Sequence, residues 1–230
     1  MNYTDSNVAI TRTTSTKPLE AYLVRPEGQG PFPGVVVIHE IFGLNDNIRD
    51  IARRLAAEGY AALAVDLFSG SPRILCMFQA FYGLMFRSLD NSMVKDLQVS
   101  LDFLQAQPGV DAKRVGVIGF CMGGSYALQL ACVNGDLRAA SVFYGQNPKP
   151  LEAVAKACPI VGSYPDPDFS TEAGRKLDEV MDKYQIDHDI KIYPGARHSF
   201  FNDQRPNYNA EAAADAWRRT LSFFQKHLGA

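Results

Sequence analysis

Val35-Val36-Val37-Ile38 is an unbroken β-branched run with no polar residue at alternate positions. Such a run suits a strand covered on both faces, the situation of strands in a parallel sheet held between two layers of helices. The rest of the chain keeps to that plan. An amphipathic stretch from about Asn47 to Glu58 follows, with Arg53 and Arg54 in its last turns and Gly59 at its end. Cations and a glycine there are what a helix C-terminus favours. Further strands are expected at Tyr60 to Val65, Arg114 to Gly119, Ala139 to Phe143, Pro159 to Gly162 and His188 to Tyr193. Further helices are expected at about Asn91 to Gln107, Ser125 to Ala131, Ser170 to Tyr184 and Glu211 to His227, Ser170 being the expected cap of its helix. Strand–helix alternation at this spacing predicts an α/β fold with a mostly parallel central sheet and helices on both faces. No repeat, low-complexity tract or linker divides the 230 residues, so one domain over 1–230 is expected.

Residues 72–89 break the rhythm. Ile74, Leu75, Met77, Phe78, Phe81, Tyr82, Leu84, Met85 and Phe86 make the segment too apolar for an open loop, and it reads as a short helical insertion. Its side chains either pack on the body or line an apolar pocket. Phe78, Phe81 and Tyr82, with Arg73 and with Phe42 from an earlier loop, are the candidate substrate-binding residues.

Charge and cysteine usage narrow the function classes. With 23 basic and 25 acidic residues the net charge is −2, and no basic tract exists for nucleic acid or an anionic membrane. No uninterrupted apolar stretch approaches the ~18 residues of a membrane span, and the polar start Met1 to Ile10 does not read as a secretory signal. Cys76, Cys121, Cys132 and Cys158 form no CxxC pair, which points to reduced thiols in the cytoplasm, Cys132 and Cys158 serving as small buried side chains. No metal-ligand cluster, dinucleotide loop or phosphate loop is visible, so neither cofactor nor metal is expected. The expected partner is a small molecule, and the chain itself a monomer or dimer.

Chemistry concentrates at Gly119-Phe120-Cys121-Met122-Gly123-Gly124, between the β-rich run Val115 to Ile118 and a helix-forming stretch. This is the glycine-flanked nucleophile elbow, with cysteine where serine is commoner. The turn is strained, and small neighbours relieve its clashes. The following helix offers free N–H groups and partial positive charge to an oxyanion and lowers a thiol pKa. One oxyanion donor is then the N–H of Met122. The other is expected from the loop His39-Glu40-Ile41-Phe42-Gly43-Leu44, at Ile41. Glu40, a carboxylate at the end of a buried strand, is costly there without a partner.

Of the four histidines, His198 follows the turn Tyr193-Pro194-Gly195-Ala196 after the last strand, where a general base is expected. His188 lies between two aspartates and reads as solvated, and His227 lies on an exposed-looking helix. The acid that orients His198 is expected after the strand ending near Gly162, at Asp166 or Asp168. The residues alone leave that choice open.

Three blocks, His39-Glu40-Ile41-Phe42-Gly43, Gly119-Phe120-Cys121-Met122-Gly123-Gly124 and Gly195-Ala196-Arg197-His198-Ser199-Phe200, resemble the hallmark motifs of the dienelactone hydrolases (carboxymethylenebutenolidases), over roughly Leu19 to Leu228. The resemblance implies an α/β-hydrolase fold and a Cys121–His198–Asp168 triad, the family's spacing favouring Asp168 over Asp166. It also implies that Glu40 interacts with the resting thiol and helps generate the thiolate when substrate arrives. One departure concerns the arginines with which the family holds its anionic lactone. Phe201-Asn202-Asp203 occupies the region after His198, with no arginine before Arg205, and Arg73 or Arg87 would have to serve as the other. A buried carboxylate needs paired donors, so the expected substrates are small neutral, apolar or aromatic esters or lactones. True dienelactone hydrolysis, hydrolysis of thioesters or neutral phosphotriesters and, more remotely, a non-catalytic binding role are the alternatives.

Overall fold

The computed structural model describes residues 1–70, 78, 82, 83 and 89–229. At its centre lies one eight-stranded sheet in the order β1-β2-β4-β3-β5-β6-β7-β8. The strands are β1 (Tyr3–Ile10), β2 (Leu19–Pro26), β3 (Phe32–Ile38), β4 (Ala61–Asp66), β5 (Val110–Phe120), β6 (Leu137–Phe143), β7 (Ile160–Asp166) and β8 (His188–Pro194). The pairings of β2 with β1 and with β4 are antiparallel, and the rest are parallel. Among the described residues five helices flank it: α1 (Asp46–Ala57), α2 (Ser92–Gln105), α3 (Met122–Val133), α4 (Thr171–Lys183) and α5 (Ala210–Leu228). A 3₁₀ helix spans Leu151–Lys156. The mostly parallel α/β architecture matches the expectation. No helix among the described residues is long and apolar enough to cross a membrane.

The β-branched run explains the layering. Val36 and Ile38 enter one core with Leu97, Leu101, Leu130 and Leu177. Val35 and Val37 enter the opposite core with Ile48, Leu55, Phe223 and Phe224. All four side chains of the run are fully buried. At roughly 1.5–3 kcal/mol per buried aliphatic side chain, a register slip of β3 would be costly.

The polar N-terminal stretch, for which the sequence suggests no element, is an edge strand, β1, most of whose side chains stay in solvent. Three local expectations, at Ser170, His188 and His227, are corrected. Ser170 precedes α4 but makes no side-chain capping bond; its hydroxyl donates to Asp168 instead. His188 is largely covered, with Nδ1 2.7 Å from the Ile186 carbonyl and Nε2 3.2 Å from Asp178. His227 packs against Phe223 and lies 2.9 Å from Asp187, so it is not an exposed residue either. Arg73, Cys76, Phe81 and Arg87 lie outside the described residues, as does most of the insertion expected over 72–89. Phe78 and Tyr82 have helical backbone and exposed side chains.

Helix α3 sets out from the sheet at backbone contact. A Cβ on Gly123 would lie 2.4 Å from the Ile38 carbonyl oxygen and 2.5 Å from that of His39. On Gly119 it would lie 2.0 Å from the Gly123 oxygen. Real Cβ atoms do not approach backbone so closely, so a methyl group must push the helix off β3. Gly123→Ala is expected to cost ~3 kcal/mol and lower the melting temperature by about 10 °C. A thermal melt within ~2 °C of the parent would show that the helix can shift freely.

Candidate active site

In an open parallel sheet, side chains just beyond the carboxyl ends of the strands share one rim, and ligands bind there. Here Glu40 follows β3 by two residues, Cys121 follows β5 directly, Tyr144 follows β6 directly, and Asp168 follows β7 by two. His198 stands on the turn after β8. Strand geometry therefore gathers five chemically capable groups from across the chain onto one edge.

Cys121 is the N-cap of α3 and holds φ at 56°. Left-handed backbone is uncommon for a residue with a Cβ. Its N–H donates to the Phe143 carbonyl at 3.0 Å, and its own carbonyl accepts from the Ser125 N–H at 3.1 Å. The side chain is half-buried, at the helix end whose dipole favours negative charge. Met122 opens the helix, so its N–H has no acceptor within α3. Ile41 follows Glu40 in the neighbouring loop, and its side chain is 38% exposed.

His198 Nδ1 lies 3.1 Å from both carboxylate oxygens of Asp168. Burial works to lower the pKa of this imidazole. The hydrogen bond to Asp168 and the Cys121 sulfur raise it by more, carrying it to about 9. Nε2 is buried and has no partner of hydrogen-bonding geometry among the described residues, although the Cys121 sulfur acts on the ring electrostatically. Burial alone would raise the Asp168 pKa, but hydrogen bonds from His198 and Ser170 hold it below the ordinary value. Asp166, the other aspartate, instead faces Arg175 at 3.1 Å on the surface.

Glu40 is 3% exposed. Its Oε1 accepts from the Ser199 hydroxyl at 2.7 Å and the Tyr144 hydroxyl at 3.3 Å, and Oε2 accepts from the Asn202 amide at 2.9 Å. Neutral donors thus solvate a buried carboxylate that would otherwise be severely destabilised. Tyr144 is fully buried with φ at 42°. Its pKa lies well above the usual value because of burial and the nearby Glu40 and Cys121, so it stays a donor. Adjacent His39 fixes the loop: its Nδ1 pairs with the Glu40 carbonyl, and its Nε2 accepts from the Leu67 N–H at 3.1 Å.

The structure therefore brings Cys121, His198, Asp168 and Glu40 to one rim, with Ile41 and Met122 beside them. Phe42 is covered by Arg205, whose guanidinium lies 3.7 Å from the ring centroid. The loop after His198 runs through turns at Asn202, Arg205 and Tyr208 and sets Arg205 over Phe42, the residue after Ile41. Tyr144, Ser199, Asn202 and Phe169 escape the sequence reading. Phe169 directly follows Asp168, and its ring stacks on His198 at 4.5 Å between centroids and 29° between planes.

Comparison with known proteins gives a consistent picture. The family model for the dienelactone hydrolase family matches residues 19–228. A candidate carboxymethylenebutenolidase of Saccharolobus solfataricus is 39% identical, over 90% of this chain and 94% of its own length. Among solved structures, a candidate dienelactone hydrolase of Klebsiella pneumoniae superimposes with a TM-score of 0.85 at 30% identity, covering 98% of this chain and 100% of that one. A dienelactone hydrolase-like promiscuous phosphotriesterase from metagenomic libraries has the same TM-score at 29% identity, covering 99% of each chain. The architecture is the α/β-hydrolase fold.

Proposed function

This chain is a member of the dienelactone hydrolase family, a hydrolase acting on ester bonds, and on that premise we propose that it cleaves small neutral esters or lactones through a Cys121–His198–Asp168 triad. The observation that carries the reading is His198, held by Asp168 on one side and raised in pKa by Cys121 on the other. The Cys121 thiolate attacks the ester carbonyl carbon, and the carbonyl electron pair moves onto oxygen. That oxyanion is met by the N–H groups of Ile41 and Met122. Protonated His198 gives its proton to the departing alkoxide, leaving a thioester on Cys121. Water then attacks the thioester as neutral His198 takes its proton. Collapse releases the carboxylic acid and restores the starting charges on Cys121 and His198. Glu40, one residue before the oxyanion loop donor, anchors that loop at the rim through its bonds from Ser199, Tyr144 and Asn202. A reactive free thiol needs reducing surroundings, which supports a cytoplasmic location.

Two further readings have specific support. Arg205 over Phe42 is a cation at the rim and favours an anionic lactone. The likeness to a phosphotriesterase extends the same oxyanion chemistry to neutral phosphotriesters. Comparing kcat/KM for p-nitrophenyl butyrate and cis-dienelactone separates the first of these from the neutral-ester reading. The neutral ester is expected to be preferred by ~100-fold, about 2.7 kcal/mol of transition-state stabilisation. A preference for dienelactone that disappears in Arg205→Ala would replace the neutral-ester reading with the anionic one.

A further inference from the structure

Phe169 is 68% exposed, yet one face of its ring is stacked on the imidazole of His198. Its position is set from both sides. Asp168 before it holds His198, Ser170 after it donates to Asp168, and the Gln146 side chain donates to its carbonyl at 3.3 Å. A ring stacked beside the general acid, with most of its surface open, flanks the group that His198 protonates. Resting on the triad reading above, we propose that Phe169 determines specificity for the alcohol half of the ester and selects planar aromatic leaving groups.

The chemistry of the step locates that subsite. His198 must pass its proton to the leaving oxygen, so that oxygen comes within hydrogen-bond reach of the imidazole. The group attached to it therefore lies beside the surface stacked on that imidazole. The acyl carbonyl is drawn to the N–H groups of Ile41 and Met122. An aromatic leaving group can pack on Phe169 in an offset or edge-to-face arrangement, a gain beyond area burial that a compact alkyl group lacks. Tyr144, whose ring centroid is 4.9 Å from that of His198, is fully buried and offers no comparable open surface.

Phenyl acetate and hexafluoroisopropyl acetate test this, because their leaving groups have similar acidity and both form the same acetyl-enzyme. Phe169→Ala is expected to lower kcat/KM for phenyl acetate by about 5- to 10-fold. The fluoroalkyl ester and the deacylation rate of the shared acetyl-enzyme should stay within ~2-fold of the parent, and Phe169→Trp should restore the aryl preference. Equal losses on both esters, or slower deacylation, would overturn the proposal by showing that the ring only positions His198. Unchanged selectivity would overturn it too. Hydrolysis of either ester surviving in Cys121→Ala would instead remove the triad reading on which it rests.

Discussion

Cys121→Ala is expected to reduce hydrolysis of p-nitrophenyl butyrate by at least ~10⁴-fold, to the background of the empty oxyanion site. The size of the effect follows from what remains. Alanine leaves the Ile41 and Met122 N–H groups in place and leaves His198 on Asp168, but it provides no electron pair to attack the carbonyl. Water positioned by His198 would have to attack directly, without the covalent step that divides the barrier. Alanine at φ 56° carries the same backbone strain as cysteine, so the fold should persist, and a thermal melt checks this. Mixing parent enzyme with excess ester should give a rapid burst of nitrophenol and an acyl adduct on Cys121 visible by mass spectrometry. Hydrolysis at the parent rate in Cys121→Ala, with no adduct in the parent, would refute covalent catalysis at this residue.

The parts of this molecule that could be read from sequence are those decided by local pattern. Strands β3 to β7 are visible because their runs are apolar and largely buried, and edge strand β8 because half-covered Ile190 and Ile192 alternate with exposed Asp189 and Lys191. The Cys121 elbow is visible because a helix contacting β3 through Gly123 tolerates no Cβ there. Strand β1 is hidden because an edge strand with few covered side chains carries no alternating pattern. The cage around Glu40 is hidden for another reason. Ser199 and Asn202 reach that carboxylate from far along the chain, after β8. Nothing in either local stretch marks them as its partners. A buried glutamate does announce that donors must exist, and tyrosine directly after a strand ending at the rim was the available clue to one of them. Ser170 shows the converse error: a good capping residue by type, its hydroxyl is drawn away by the stronger acceptor beside it, the ionised Asp168.

Asp168→Asn is expected to lower kcat/KM by about 10²- to 10⁴-fold, the range that follows when the acid orienting a catalytic histidine loses its charge. Asp166→Asn should leave it within ~2-fold, since that carboxylate pairs with Arg175 in solvent, where such pairs contribute little. The His198 titration supplies an independent readout. Burial pulls the imidazole down, and the Asp168 hydrogen bond is the first influence raising it toward about 9. Removing that carboxylate leaves the burial penalty, so the NMR titration of the His198 ring should move to lower pH in Asp168→Asn and stay put in Asp166→Asn. Stability must follow the same sign. A folded-state pKa above the unfolded value of about 6.5 means that protonated His198 contributes stability fully below pH ~6.5 and loses it as pH rises through about 9. In Asp168→Asn that pH-dependent loss should begin from a smaller contribution and finish at lower pH. A His198 titration that moves in Asp166→Asn, with activity falling alongside it, would transfer the orienting role to Asp166.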